Sequence, residues 1–377
     1  MLIPSELRIK ARELANKIPY QLIKDSPTVK YYTQWNLFDR CIETGGNTLG
    51  KLPQSNDYDV VIHNGELIKG VELLGDQVNI GIDPSESRII ARHLANLREV
   101  YPIVIKGDVE DEVKVLLSYG GEQNELNSNH VIINVSDYAV VNLALSIVGN
   151  GGCGTNVVEV NVGDGAILNL LMYSTNINPS FSLIRVTEGG GASVNAYTIV
   201  VNGEMTHHRE DYILQGQGAS INSNSLEFGS GNSRVDYMIN IMHVGEHTMS
   251  NSTTRAIALD SATVVHRGFG RITERGRWSS TSIEGKVFIG SSNAVGMSVP
   301  IIMVDTGDVN GARHSATDAS IDEDQELYLR MRGLSREEAI GLVVYDMVTG
   351  FLDSISASFK GSVSQIRESL MSLIRGR

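Results

Sequence analysis

Gly165-Ala-Ile-Leu-Asn-Leu170, Gly191-Ala-Ser-Val-Asn-Ala196, Gly218-Ala-Ser-Ile-Asn-Ser223 and Ser261-Ala-Thr-Val-Val-His266 each open on a pair of small residues and run on into alternating apolar positions. From 165 to 191 is 26 residues and from 191 to 218 is 27; from 218 to 261 is 43, read as two coils of a slightly shorter repeat. A recurring period of this size marks a solenoid, in which each coil buries its apolar face on the next. Glycine or alanine at each corner lets the chain bend tightly and stack close to the coil below.

The flanking sequence fits that frame. His130-Val-Ile-Ile-Asn-Val135, Val157-Val-Glu-Val-Asn-Val162, Tyr237-Met-Ile-Asn-Ile-Met242 and Lys286-Val-Phe-Ile289 alternate with period two. Many short strands without crossover helices predict a mainly β chain, and the repeat makes it a right-handed parallel β-helix over 101–315. Residues 1–100 read as a mixed α/β region. Leu7, Ala11, Leu14 and Ile18 predict one helix over Ser5–Ile18, and Ile89, Ala91, Leu94 and Leu97 predict another over Pro84–Glu99. Residues 316–377 read as a helical domain. Asp322 with Gln325 and Ser335 with Glu338 form candidate capping boxes, and Gly333 separates two helices. Ile340, Val343, Val344, Met347 and Phe351 continue the second helix, and a third runs over 362–374. These helices are expected to cover the last open coil.

Composition bounds the function. The 377 residues carry a net charge of −13, which argues against a nucleic-acid partner. No stretch approaches 18 consecutive apolar residues, so no membrane span is expected, and the N-terminus lacks an apolar signal core. Only two cysteines, Cys41 and Cys153, are present. They make no disulfide scaffold, point to a reducing cytoplasm, and cannot supply the usual four thiolates of an iron–sulfur cluster.

Several motifs invite chemistry. Gly45-Gly-Asn-Thr-Leu-Gly50-Lys51 begins like a phosphate loop, but Leu52 stands where a hydroxyl should hold magnesium, so no nucleotide site is expected. His243-Val-Gly-Glu246-His247 fits an inverted zinc-hydrolase motif, which requires a helix. Its flanks alternate like a strand, where residues four apart lie about 13 Å from one another. His207-His208 with Arg209, Glu210 and Asp211 reads as a surface loop, and Gly149–Gly154 as a flexible loop carrying Cys153. A β-helix polysaccharide hydrolase or lyase would need clustered carboxylates on one face, and no clear ladder of them is visible.

The segment Arg313–Ala339, with His314, Ala316, Thr317, Ile321, Gln325, Tyr328, Arg332, Gly333 and Ala339, closely resembles the signature of the SufB/SufD family. His243, Gly245, Thr248 and Ser250, then His266-Arg267-Gly268 and Ser298-Val299-Pro300, resemble further family blocks. The resemblance covers about 125–355. It implies a β-helix with C-terminal helices, in a cytoplasmic scaffold for iron–sulfur cluster assembly that has no catalytic residues of its own. It also implies that the helices dock a SufC-type ABC ATPase, through Gln325, Tyr328, Arg332, Gly333 and Ala339, and that the β-helix pairs with a SufB-like paralogue or a second copy through its last strands, near Ile301 and Met303.

Departures from the family pattern matter equally. Ala294 stands at the cluster-bearing cysteine of SufB, Leu214 near a second SufB cysteine on the sulfur path, and Ser315 at the glutamate after the histidine. The chain therefore resembles SufD, although His266-Arg267-Gly268 is closer to SufB. His314 is the expected cluster or metal ligand, at a transient site completed by another chain.

Overall fold

The computed structural model describes residues 2–22, 31–43, 55–75, 79–321 and 323–375. From Val60 to Ala319 the chain winds as a parallel solenoid of about eight turns, with helices near both termini. Successive strands alternate between two sheets. Sheet 1 stacks Glu125–Val135, Cys153–Val162, Ser180–Glu188, Thr206–Leu214, Arg234–His243, Thr263–Ile272 and Val295–Val304, with Ile42–Glu43 and Tyr101–Ile105 beside its first long strand. Sheet 2 runs from Val60–His63, with its hairpin partner Glu66–Lys69, through Glu112–Tyr119, Val140–Gly149, Ile167–Asn176, Ser193–Val201, Ser220–Gly229, Met249–Ala258 and Ser279–Ile289 to Val309–Ala319. The first strands thus lie before residue 101 and the last runs beyond residue 315.

The small-residue corners have a conformational cause. Gly165, Gly191 and Gly218 are left-handed, with φ of 65°, 64° and 73°, and the alanine after each is fully buried. Each glycine N–H donates to the carbonyl of Gly190, Gln217 or Glu246 in the next coil. Tyr138, His247 and Trp278 occupy the same corner with φ of 59°, 57° and 55°. Ser261-Ala262 does not belong to this series, because it precedes a strand of sheet 1 rather than sheet 2. The 43-residue step is therefore not two shortened coils. Register partners are 30 residues apart in the first coil, 26 or 27 in the next ones, then 29, then 31, so the repeat is shortest in the middle coils and lengthens after them.

Asparagines that share one outer column of sheet 2 bond along the axis. Asn169 Nδ2 donates to Asn142 Oδ1 at 2.9 Å, and Asn195 Nδ2 to Asn169 Oδ1 at 3.1 Å. Inside, the early coils are filled by aliphatic residues such as Leu143, Leu145, Leu168 and Leu170, all buried. The later coils place His208, Glu210, Glu227, Tyr237 and His266 inward, all fully buried.

Helices cover the two outer faces. Ser5–Leu14 and Arg88–Asn96 pack Ala11, Ile89 and Leu94 on Ile132, Val157 and Phe181 of sheet 1. Both predicted helices exist, each shorter than expected. The second starts at its Ser87 cap, whose Oγ accepts from the Ile90 N–H. The C-terminal helices Glu323–Met331, Arg336–Ser354 and Lys360–Arg375 follow the expected order, and the Ser335–Glu338 capping box is formed. The first proposed box lies outside the described residues, because it depends on Asp322. These helices do not cap the last coil. Ala339, Val344, Val348 and Phe351 instead pack on Leu171, Ile199, Leu226 and Phe288, along the outer face of sheet 2. That face is apolar over five coils and needs a cover more than one strand edge does.

Cys41 and Cys153 are joined by a disulfide that ties the N-terminal segment to sheet 1. This overturns the reading of two unbridged cysteines. Cys153 begins a strand and is fully buried, so it is not on a flexible loop.

Candidate functional site

Val295–Val304 and Val309–Ala319 are the final strands of the two sheets, and each pairs on one side only. Their free edges are backbone available for pairing with another chain. On the outer face of this coil Ile301 and Met303 are 48% and 45% exposed. His314 lies in register with the inward residue Ile283, so it belongs to the inner column at the open mouth, and it is exposed. Its Nδ1 is 3.2 Å from the Pro300 carbonyl oxygen. A carbonyl only accepts, so Nδ1 carries a hydrogen, and in the neutral ring Nε2 then keeps its lone pair. Ser315 is exposed beside it. Ala294 packs against the interior core just before the last sheet-1 strand, and Leu214 is buried inside the solenoid.

A second exposed surface lies on the C-terminal helices. Leu327, Tyr328, Met331, Leu342 and Tyr345 stand 47–79% exposed. Arg332 donates to the Tyr328 hydroxyl at 2.9 Å and its guanidinium lies 5.0 Å from that ring. Gly333, with φ of 94°, makes the turn between helices, and Gln325 lies on the first of them. Ala339 is fully buried against sheet 2, so a partner would meet its neighbours rather than its methyl group. The structure therefore divides the expected residues between two places: His314, Ile301 and Met303 at the open coil, and the others on the helical cover.

The zinc motif does not assemble. His243 ends a strand, points inward and bonds Thr248 and Ser250 at 2.8 and 2.9 Å. His247 is a left-handed corner residue stacked on Trp278, with ring centroids 5.0 Å apart. Among the described residues no three His, Cys, Asp or Glu side chains are grouped to hold a metal. His207 and His208 are not in a surface loop but on Thr206–Leu214, facing opposite sides. His207, stacked on Phe181, accompanies Arg267 on Asp236 beneath the N-terminal region. The Gly45–Lys51 motif lies outside the described residues.

The polar interior was not anticipated. Thr206–Leu214 is polar on both faces, which hides the alternation of a half-buried strand. The signal that would expose it is vertical: His208, Tyr237, His266 and Ser298 share one inward column. Burial, with repulsion from Asp236 and Glu210, raises the Glu227 carboxyl well above its ordinary pKa. Burial raises Glu188 likewise, and lowers His243 to about 4 and His266 to about 3.

Residues 118–347 match the family profile described as SUF system FeS cluster assembly, SufBD core domain. The iron–sulfur cluster assembly protein SufD of Bacillus subtilis is 25% identical over 305 residues, covering 78% of this chain and 68% of that protein. A SufBD family protein of Staphylococcus saprophyticus is 22% identical over 163 residues, covering 43% of this chain and 35% of that protein. A Staphylococcus epidermidis SufBD family protein matches to the same extent.

Proposed function

The chain belongs to the SUF-system FeS cluster assembly family defined by the SufBD core domain, and from that premise we propose that it is a non-catalytic, SufD-like scaffold subunit working with a SufC-type ABC ATPase. The observation that carries the reading is His314. It stands at an open coil with Nδ1 donating to the Pro300 carbonyl, which leaves Nε2 free to bind iron. A metal-binding imidazole is commonly oriented by this kind of backbone bond.

One histidine cannot hold a cluster, and both cysteines are consumed in a buried disulfide. Thiolate ligands must come from a second chain, a SufB-like paralogue or another copy, seated against the free edges at Ile301 and Met303. The cluster is transient cargo shared across that interface. The ATPase docks on the helical cover near Tyr328 and Arg332, and its nucleotide cycle works the paired ends against one another. A need for ATP is met in the cytoplasm, and burial of Cys41 and Cys153 would shield their bridge from reductants there.

The deciding experiment is His314→Ala, assayed with the ATPase and a cysteine-bearing paralogue. Cluster yield should fall while melting temperature and pairing stay unchanged, since the side chain is exposed and fills no core space. Full cluster yield would overturn the reading.

A further inference from the structure

At the margin of the N-terminal cover, a groove of about 470 Å³ lies on the outer face of sheet 1, walled on one side by Gln21 and Tyr32. Its floor is graded. One column in register runs Arg185, Asp211, Asn240, Phe269 and Ile301, from charge through an amide to apolar surface at the open coil. The column beside it runs Arg209, Met238, Arg267 and Val299. At the polar end Arg209 donates from Nε to Asp211 Oδ1 at 2.7 Å and from Nη2 to Oδ2 at 2.9 Å. Arg185 Nη2 and Asn240 Nδ2 donate to the same carboxylate at 2.9 and 2.7 Å. Burial raises the Asp211 pKa, but the Arg209 and Arg185 guanidiniums outweigh it and hold the group below its ordinary value, so it stays ionised. Asp211 is thus fully engaged, while Arg209 Nη1 makes no hydrogen bond among the described residues.

We propose that this groove binds a small amphipathic anion, an apolar aromatic body with one carboxylate or sulfonate head, its head on Arg209 Nη1 and its body along Met238, Phe269 and Ile301. The volume is that of a site for a small organic molecule. Three guanidiniums and one carboxylate line it, in a chain whose net charge is −13. Glu86 and Asp236, which accept from Arg185 and Arg267, lie outside the lining. A wholly apolar occupant would desolvate Arg209 Nη1 without giving it an acceptor, at a cost. An acidic head instead forms a charge-assisted bond there. A wholly polar anion would leave Met238, Phe269 and Val299 unused, and a thioether side chain adapts readily to an aromatic body. The site does not rest on the scaffold reading. A second chain seated on Ile301 would close its apolar end.

The test titrates the full chain with two fluorescent probes that share one body. Anilinonaphthalene sulfonate carries the acidic head, and N-phenylnaphthylamine lacks it. The expected result is about one sulfonate probe per chain, bound about tenfold more tightly than the neutral one. Arg209→Gln should weaken the sulfonate about tenfold and leave the neutral probe unchanged. Met238→Asp should weaken both. Tyr328→Asp with Met331→Asp, on the helical cover, should change neither. Equal binding of the sulfonate by wild type, Arg209→Gln and Met238→Asp overturns the proposal, and so does its loss in the helical variant. Should the groove variants not fold, wild type decides. A preference for the sulfonate at low salt that shrinks as salt rises supports the site. Equal or tighter binding of the neutral probe, as on any exposed apolar patch, overturns it.

Discussion

His266 shows how one side chain inside a solenoid sets a response to pH. Its Nδ1 pairs with Ser298 Oγ at 3.1 Å, and burial holds its pKa at about 3; His243 is held at about 4. In the unfolded chain both take up a proton below about pH 6.5, while in the folded chain they stay neutral. Their contribution to stability is therefore complete above pH 6.5 and is lost as pH falls towards 4 and then 3. The slope is up to about 1.4 kcal/mol per pH unit for each histidine. His266→Gln should flatten the loss of melting temperature between pH 6.5 and 4, and an unchanged slope would refute the assignment. His247 was visible as a histidine in a metal-like motif, but its role was not. Its left-handed corner is equivalent to those of Gly191 and Gly218, and that equivalence exists only once coils of 27 and 29 residues are stacked in register.

At the scale of elements, the C-terminal helices do two jobs. Their inner side covers Leu171, Ile199, Leu226, Ile257 and Phe288, and their outer side presents Tyr328, Met331 and Leu342. Deleting 318–377 would therefore uncover a whole apolar face and confound loss of docking with aggregation. Point substitution separates the two. Tyr328→Asp with Met331→Asp should weaken capture of the ATPase at least about tenfold, roughly 1.4 kcal/mol or more. Melting temperature should stay unchanged, since both side chains are exposed. Undiminished capture would move the docking surface elsewhere. The helices themselves were legible from spacing and caps. Their placement was not, because an apolar stripe states that a helix must be covered and not what covers it.

At the scale of the molecule, the solenoid ends in an open coil of two strands with free edges. A parallel stack has no internal way to close its last edge, so closure requires a cover or a second chain. The helices serve the face, and the edge remains. Ile301→Lys with Met303→Lys should shift the assembly towards monomer in size-exclusion chromatography while leaving the β-rich circular dichroism intact. A monomeric wild type would remove the basis for pairing through this end.

The sequence by itself determined the solenoid and the order of the terminal helices, but not where the strands begin and end. The solenoid and the helix order rest on local periodicity and corner residues, which act over a few positions. It also carried the family, through the residues around His314. Only the tertiary structure decided the lengthening repeat, the Cys41–Cys153 bridge, the helices on sheet 2 and the buried His208, Glu210 and Glu227. The repeat and the buried groups depend on which residues meet from coil to coil, the bridge joins residues 112 positions apart, and the helices fold back onto strands far earlier in the chain, so no local signal carries any of them.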